Sequence, residues 1–218
     1  LYKDLVERYE IKNPEPVRYF IKRVMSNLTK PTSINRIYNE LKSQGVSIGK
    51  NTLYDVIVQT ESIYLFFSLT KYEPSVVKES SGDKKYYCID NGLRSVLLNP
   101  LSEDNGKLLE NAVYLHLRRN LQIQEGLHYY KGKKECDFVI TNHEEVNQLI
   151  QVTYTLHDED TRQREIDGLL EAAQTTGCRE LFILTLEEEE EINVSEYTIH
   201  VLPVWKWMLK ILYLSPKQ

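Results

Sequence analysis

The sequence predicts an α/β protein, α+β overall, in which three helices and a β-hairpin precede a core with a central mixed sheet. Apolar residues recur at helical spacing three times in the first 60 residues, whereas the second half alternates short apolar segments with longer helical patterns. Helices that cover a sheet produce this alternation. A polar stretch, 99–106, separates these two patterns of apolar residues, so we expect two domains, 1–98 and 99–218.

The first domain contains three helical patterns and two strand patterns. Helices are expected from Pro14 to Leu28, from Ile34 to Leu41 and from Thr52 to Thr60, because apolar side chains there line one helical face. The segments Tyr64 to Tyr72 and Lys84 to Asp90 are rich in β-branched and aromatic residues, which is typical of a hairpin. Three helices followed by a two-stranded wing form a winged helix-turn-helix, whose third helix normally faces the DNA major groove.

The charge distribution favours a DNA partner for this first domain. Residues 1–60 carry ten Lys and Arg against six Asp and Glu, a balance of +4, although the whole chain has a net charge of −5. A local basic face is sufficient for phosphate binding. We expect Lys50, Asn51 and Thr52 at the start of the third helix to contact DNA, and Arg36 and Lys42 to reach its backbone. The alternative is that this face binds protein.

The second domain alternates helices and short strands. A helix from Leu108 to Leu117 is expected first, followed by a three-stranded meander, a long helix, two further strands and a closing helix. These later segments are Leu127 to Tyr130, Cys136 to Ile140, Gln148 to Tyr154, Asp160 to Thr176, Leu181 to Leu186, Tyr197 to Leu202 and Trp205 to Tyr213. The glutamate run Glu187 to Glu191 is interpreted as a solvated loop.

Three polar residues interrupt this apolar framework at positions that its order brings together. Asp137 and Gln151 lie within apolar strands, and Glu110 lies on the preceding helix. A buried acidic side chain is costly unless it is paired or binds a cation. Metal-dependent cleavage of a phosphodiester uses two or three oxygen ligands of this kind. The three residues are therefore a candidate site for a divalent cation.

The spacing of these residues resembles that of a known family. The segments concerned are Gly106-Lys107-Leu108-Leu109-Glu110-Asn111, Tyr130-Lys131, Glu135-Cys136-Asp137-Phe138-Val139 and Ile150-Gln151-Val152. Together they look like the PD-(D/E)XK nuclease-like domain, of restriction-endonuclease fold, that closes many bacterial and archaeal AAA-type ATPases. In those proteins a winged helix lies between the ATPase and the nuclease-like part, so the resemblance covers nearly the whole chain.

The resemblance implies a ligand set and partners. Glu110, Asp137 and Gln151 would coordinate Mg²⁺ or Mn²⁺, and DNA would be the substrate or partner. An upstream ATPase domain is implied as well, together with homo-oligomers formed through it. Arg162 and Arg164, at the start of the long helix, would bind phosphate in this interpretation, whereas the alternative for them is a solvated, salt-bridged helix face.

One departure from the family pattern concerns a lysine. The pattern expects Lys two positions after the third ligand, where this chain has Thr153. That lysine positions water and stabilises the transition state, so its loss would cost orders of magnitude in rate. A relocated lysine just before the Asp137 strand, namely Lys131, Lys133 or Lys134, would compensate, and we place Lys134 in the catalytic set. Activity as a Mg-dependent deoxyribonuclease depends on this compensation.

Each candidate residue also has a purely structural interpretation. Glu110 alone is typical of an exposed helix residue, and Asp137 pairs with Lys134 or a nearby Arg. Gln151 hydrogen-bonds within the sheet and binds cations weakly because it is neutral. For the whole chain, the alternative function is a non-catalytic module that binds protein or scaffolds the ATPase. A third function, a winged-helix transcription regulator with an effector domain, lacks a visible ligand-pocket signature.

The sequence excludes several other classes of site. Its three widely spaced cysteines predict neither a disulfide framework nor a zinc site and fit a reducing cytoplasm. The histidines lack ligand spacing, and no glycine-rich phosphate loop occurs, so no ATP site is expected in this chain. No apolar run approaches the roughly 20 residues that cross a bilayer. Because the sequence begins without Met, we expect it to be a fragment of a longer protein.

Overall fold

A computed structural model describes residues 14–46, 48–73, 82–98 and 104–214, which have a mixed α/β fold. These residues form seven helices, a two-stranded sheet and a six-stranded mixed sheet. The predicted fold class and its central mixed sheet are therefore confirmed. Within the described ranges, every helix is too short or too polar to span a membrane.

The elements follow the chain in this order. The helices are α1 Glu15–Ser26, α2 Ile34–Ser43, α3 Lys50–Ser62, α4 Asn91–Leu97, α5 Asn105–Asn120, α6 Glu159–Thr176 and α7 Val204–Leu214. The strands are β1 Phe66–Leu69, β2 Lys85–Cys88, β3 Glu125–Lys131, β4 Glu135–Asn142, β5 Glu145–Val152, β6 Leu181–Thr185, β7 Glu190–Val194 and β8 Tyr197–Pro203. The chain divides into two compact units: unit 1 has residues 1–70 and 80–103, and unit 2 has residues 71–79 and 104–218.

Unit 1 is built on an apolar core with an aromatic cluster inside it. Helices α1 to α3 turn their apolar faces toward one another and toward the antiparallel pair β1 and β2. The ring of Phe20 meets those of Phe66 and Tyr86 edge to face, at centroid distances of 6.3 and 6.5 Å, as the ring quadrupoles favour. A two-point ion pair of 2.8 and 3.0 Å between Arg23 and Glu40 joins α1 to α2.

Unit 2 is built on the six-stranded sheet, with the strand order β3-β4-β5-β6-β8-β7. The predicted antiparallel meander is formed by β3, β4 and β5, whereas β5, β6 and β8 run parallel and β7 pairs antiparallel with β8. Helix α6 makes the crossover from β5 to β6 that a parallel pair requires. Its apolar residues Ile166, Leu169 and Ala173 share a core with Cys136 and Leu181 of the sheet.

The predicted hairpin of unit 1 is too long. The sequence pattern predicts strands over Tyr64 to Tyr72 and Lys84 to Asp90, but β1 and β2 have four residues each. The amide of Tyr72 instead donates a hydrogen bond of 2.7 Å to the carbonyl of Tyr129 in β3, so this end of the segment pairs within unit 2. A continuous β pattern cannot reveal such a change of partner, because strand pairing is a tertiary property.

Two features near the predicted linker also differ from expectation. The sequence pattern does not predict α4, which is only seven residues long; it is capped by the Asp90 side chain, which accepts a 2.5 Å hydrogen bond from the amide of Gly92. Helix α5 begins at Asn105, inside the stretch expected to be a linker. The remainder of that stretch, 99–103, lies outside the described residues.

The glutamate run Glu187 to Glu191 is a loop only over its first three residues, so the predicted solvated loop is too long. Its last two residues begin the edge strand β7. Glu190 accepts hydrogen bonds of 2.6 and 2.9 Å from Arg162, and Glu191 lies 3.3 Å from the ring of His200. Side chains from distant parts of the chain therefore offset the like charges of the run. A local sequence pattern cannot predict such partners.

Gly168 lets α6 approach the start of β4 closely. A Cβ atom added to Gly168 would lie 2.3 Å from the backbone carbonyl oxygen of Glu135. We expect Gly168→Ala to lower the free energy of unfolding by about 2 kcal/mol, because overpacking costs more than the roughly 1 kcal/mol that Ala gains in a helix. Denaturant-induced unfolding measures this change.

Gly106→Ala is the matched control for this prediction. Gly106 also lies in a helix, but an added Cβ would have no atom within 4 Å, so this variant should be as stable as the wild type or slightly more so. Equal destabilisation by both substitutions would contradict the importance of the close contact at Gly168.

Candidate functional site

Strand β4 bulges at Asp137, the residue on which the predicted site depends. Cys136 pairs with Tyr130 and Val139 pairs with His128, so β4 uses one residue more than β3 over the same stretch. As a result Cys136 and Val139, three positions apart, share the core beneath α6. Bulges re-aim side chains and are frequent beside functional sites. The bulge interrupts the regular alternation of side chains between the two faces of β4, and this interruption allows the acidic side chain of Asp137 to occur within an apolar strand.

A chain of hydrogen bonds joins Asp137, Gln151 and Glu165. The backbone N–H of Val152 donates to Asp137 Oδ2 at 3.0 Å, and the backbone N–H of Asp137 donates to Gln151 Oε1 at 3.1 Å. Gln151 Nε2 in turn donates to Glu165 Oε2. Asp137 and Gln151 are each 7% exposed and Glu165 is 4% exposed. Two strands and one helix thus bring two carboxyl groups and an amide together inside the protein.

Glu165 is the member of this group that the sequence analysis missed. Burial raises its pKa, and the nearby Asp137 carboxylate raises it further, against hydrogen bonds from Arg164 and Gln151 that lower it. The site therefore concentrates negative charge that a cation would relieve. One sequence signal does exist: Glu165 lies on the same stripe of α6 as the buried Leu169, at a spacing of four residues.

Arg164 is the cation next to this group. Its Nη2 and Nε atoms donate to Glu165 Oε1 at 2.7 and 3.2 Å, while 64% of its side chain is exposed. The hydrogen bond to Glu165 is the main cause of a raised Arg164 pKa, to which the Asp137 carboxylate also contributes. Arg162, two residues earlier, is instead bound to Glu190. Of the two predicted phosphate-binding arginines, Arg164 is thus the one beside the carboxyl groups.

Glu110 is buried, so the alternative that it is an ordinary exposed helix residue is wrong. It lies on α5, one helical turn before Tyr114, whose ring stacks on Phe138 at 6.3 Å. Residues four apart on a helix have Cβ atoms about 5–6 Å apart. Glu110 is therefore on the part of α5 that packs beside the bulge of β4, and its role as a ligand stays a prediction.

Two of the three lysines considered as replacements form ion pairs with other carboxylates of unit 2. Lys134 Nζ lies 3.3 Å from Asp167 Oδ2, and Lys131 Nζ lies 3.0 Å from Glu135 Oε2. Lys134 thus pairs with α6 rather than with Asp137, whereas the other structural partner considered for Asp137, a nearby arginine, corresponds to Arg164, whose pKa the Asp137 carboxylate helps to raise. Thr153 is buried, and its hydroxyl donates to the carbonyl of Thr155 at 3.2 Å. Because threonine has no charged group, position 153 does not supply the cation that the family pattern expects there.

The chemistry of the donors fits a hard divalent cation, although the set is small. Within the described ranges, no three His, Cys, Asp and Glu side chains are grouped so that they could hold a metal ion. Asp137 and Glu165 supply two carboxylates, and the third oxygen is the amide oxygen of Gln151, which retains a second lone pair beside its bond to Asp137. Oxygen donors of this kind suit Mg²⁺ and Mn²⁺.

In unit 1 the residues predicted to contact DNA lie at the protein surface. Lys50, Asn51 and Thr52 form the exposed first turn of α3, and Arg36 is exposed on α2. One and two turns further along α3, the same helix also exposes Tyr54 and Val58. The structure therefore presents both a polar start and an apolar continuation on this helix.

Glu188 fastens the loop between Gln151 and Glu165. Its Oε1 atom accepts hydrogen bonds from the Thr155 hydroxyl at 2.5 Å and from the backbone N–H of Leu156 at 2.9 Å. Burial acts to raise the pKa of Glu188, but these bonds and others outweigh it and lower the pKa to about 2. The glutamate run thus supplies an anchor for the segment that joins β5 to α6.

This anchor predicts a specific dependence of stability on pH. Because the folded-state pKa is below the ordinary value of 4.5, the stabilisation by Glu188 is present above about pH 4.5 and disappears as the pH falls toward 2. We expect Glu188→Gln to lower the free energy of unfolding by about 1 kcal/mol at pH 7. The difference from the wild type should shrink toward zero between pH 4.5 and pH 2.

The exposed neighbour provides the control for this experiment. Glu187→Gln makes the same change of charge one residue earlier and should leave stability nearly unchanged over the same pH range. A difference between Glu188→Gln and wild type that stays constant down to pH 2 would rule out the ionised carboxylate as its cause.

The chain matches two families, one in each half. Residues 1–104 match the family described as Domain of unknown function (DUF8612), and residues 105–207 match Domain of unknown function (DUF4143). The uncharacterized protein MJ1544 of Methanocaldococcus jannaschii is 33% identical over 216 residues, which cover 95% of this chain and 47% of that protein. An uncharacterized protein of Haemophilus influenzae is 24% identical over 208 residues, which cover 95% of this chain and 49% of that protein.

The extent of these matches agrees with the architecture. The chain spans about half the length of the curated relatives that it matches. No solved structure gives a significant match. The two family matches meet between residues 104 and 105, and the larger segment of unit 2 starts at Asp104. The chain therefore combines a segment that matches DUF8612 with a segment that matches DUF4143, in that order.

Proposed function

We propose that this chain is the DNA-associated C-terminal module of an AAA-type ATPase, with a winged-helix domain followed by a PD-(D/E)XK nuclease-like core. The observation that carries the proposal is the buried, hydrogen-bonded group of Asp137, Gln151 and Glu165 at a β-bulge. Burying carboxyl groups is costly for folding unless they are paired or bind a cation. A retained ligand site explains why a protein keeps them.

The order of elements in unit 2 supports the nuclease-like part of the proposal. The order is a helix, an antiparallel meander, a crossover helix and a parallel strand, with Glu110 on α5 and Asp137 and Gln151 on the neighbouring strands β4 and β5. Asp137, Gln151 and Glu165, with Glu110, would hold the cation. When bound, Mg²⁺ or Mn²⁺ would supply Lewis-acid stabilisation of charge on a phosphodiester. The protein's own contribution is to orient these oxygens and to exclude water around them.

Cleavage by this centre is expected to be slow or absent. Thr153 offers no amine, and Lys134 is paired with Asp167. Gln151 is neutral and binds a cation more weakly than a carboxylate does. Lys134 remains the proposed substitute for the missing lysine only if it leaves Asp167 when DNA binds. We therefore propose a centre that retains cation binding with degenerate nuclease activity.

The context of the second domain supports the link to an ATPase. DUF4143 domains are found in C-terminal regions associated with AAA ATPases. The two curated relatives are about twice as long as the part that this chain covers. ATP binding, oligomer formation and energy coupling would then belong to a domain outside this sequence.

A second candidate function is a protein-interaction module of the ATPase, as one surface of unit 1 favours. Beyond its polar first turn, α3 exposes Tyr54, Asp55 and Val58. An apolar and acidic continuation is unfavourable beside a phosphate backbone and typical of a protein contact. The two candidate functions therefore differ in what binds α3.

Cation binding tests the nuclease-like centre directly. We expect the 218-residue chain to bind Mn²⁺ in titration calorimetry, and Asp137→Asn to weaken this binding by about tenfold or more, since it removes a charged ligand. Any Mg²⁺- or Mn²⁺-dependent cutting of single-stranded, duplex or branched DNA should disappear in the same variant.

Asp160→Asn serves as the matched control for Asp137→Asn, because Asp160 is an exposed residue at the start of α6. Thermal unfolding of both variants checks that they fold. If Asp137→Asn binds Mn²⁺ as tightly as the wild type, the proposed centre does not exist.

DNA binding by α3 is tested by charge removal at Lys50. We expect Lys50→Gln to weaken duplex DNA binding by about three- to tenfold and to reduce the slope of log affinity against log salt by about one, since one phosphate contact is lost. Lys22→Gln, on the exposed face of α1, removes the same charge and should have little effect. Equal affinities of all three proteins would favour the protein-interaction function instead.

A further inference from the structure

The guanidinium of Arg164 is hydrogen-bonded to a buried carboxyl group, although most of the Arg164 side chain is exposed to solvent. The Glu165 carboxyl that anchors it is 4% exposed, whereas 64% of the Arg164 side chain is exposed. Both hydrogen bonds to Glu165 go to one oxygen and use Nε and Nη2 of the guanidinium. A guanidinium has five N–H donors in a planar fork, so donors remain for an incoming anion.

We propose that Arg164 is the residue of this centre that binds the phosphodiester backbone of a nucleic acid. The proposal rests on the proposed function, in which Asp137 and Gln151 hold a cation, and it names the residue that holds the substrate there. Glu165 acts as the positioning residue, because it orients the guanidinium while the rest of the Arg164 side chain faces solvent.

The neighbouring basic residues do not offer the same combination of position and open donors. Lys134 Nζ lies 3.3 Å from Asp167, and Lys131 Nζ lies 3.0 Å from Glu135. Arg162 uses Nη1 and Nη2 for the carboxylate of Glu190, and only 26% of its side chain is exposed. Arg164 alone among these four donates directly to a carboxyl group of the buried centre.

The location of Arg164 leads to opposite effects on two ligands. Removing its positive charge takes a repulsive group away from a cation beside Asp137 and Glu165, so cation affinity should be unchanged or higher. Removing its donors eliminates a charge-assisted contact to phosphate, so nucleic-acid affinity should fall. A residue with a merely structural role would lower both affinities together.

Arg162 provides a matched control two positions earlier on the same helix. Arg162→Gln removes one positive charge from α6 and breaks a contact to β7, but it leaves Glu165 and Arg164 in place. Arg164→Lys is the conservative variant. It keeps the charge but not the planar fork, so it should recover only part of the binding.

The experiment measures two affinities for the 218-residue chain and its variants. Mn²⁺ affinity comes from titration calorimetry, and the affinity for a labelled single-stranded oligomer of four thymidines comes from fluorescence anisotropy with Ca²⁺ present. We expect Arg164→Gln to weaken oligomer binding by about tenfold with Mn²⁺ affinity retained, and thermal unfolding checks that the variant still folds. Arg162→Gln should match the wild type, and Arg164→Lys should lie between.

The possible outcomes separate this inference from the function on which it rests. If Asp137→Asn weakens Mn²⁺ binding while Arg164→Gln binds the oligomer as tightly as the wild type, the cation centre stands and the role of Arg164 is wrong. If Arg164→Gln loses Mn²⁺ and oligomer affinity together, Arg164 is structural and the inference is also wrong. If the wild type binds no Mn²⁺, the proposed function fails first, and the inference fails with it.

Discussion

The arrangement of unit 2 around its candidate site depends on the side-chain amide of Gln151. Its oxygen accepts a hydrogen bond from the backbone N–H of Asp137 at the bulge of β4, and its nitrogen donates to Glu165 of α6. A buried N–H without an acceptor costs about 1–3 kcal/mol. The amide oxygen of Gln151 therefore stabilises the bulge by satisfying this N–H group. Its amide nitrogen holds the helix that carries the second carboxyl group.

The charges of the two carboxyl groups, Asp137 and Glu165, indicate which kind of ligand the site would bind. Asp137 and burial together raise the pKa of Glu165, so the folded protein resists placing two full negative charges there. A cation between the oxygens, or a guanidinium beside them, reduces this cost. Arg164 offers the second kind of relief only from the rim. Two buried acidic residues joined through Gln151 are the physical basis for proposing a divalent ion there.

Charged residues elsewhere in unit 2 hold the site in place rather than taking part in it. Glu188 binds the loop after β5, and Glu190 binds Arg162 at the start of α6. Both belong to a run of like charges that local sequence patterns assign to solvent. Their partners lie between 28 and 33 residues away along the chain. The same surface residues therefore stabilise the crossover helix that carries Glu165.

The sequence by itself determined most of the element types, the antiparallel meander and the mixed α/β class, because periodicity of apolar side chains reports which faces are buried. It did not predict α4 or β7. The sequence also identified Asp137 and Gln151 as polar positions within apolar strands, whereas the burial of Glu110 is known only from the structure. Only the tertiary structure decided the bulge at Asp137, the place of Glu165 beside it, and the pairing of Tyr72 with β3. These features arise from contacts between residues distant in sequence, and strand register and side-chain partners of that kind leave no periodic signal in the chain.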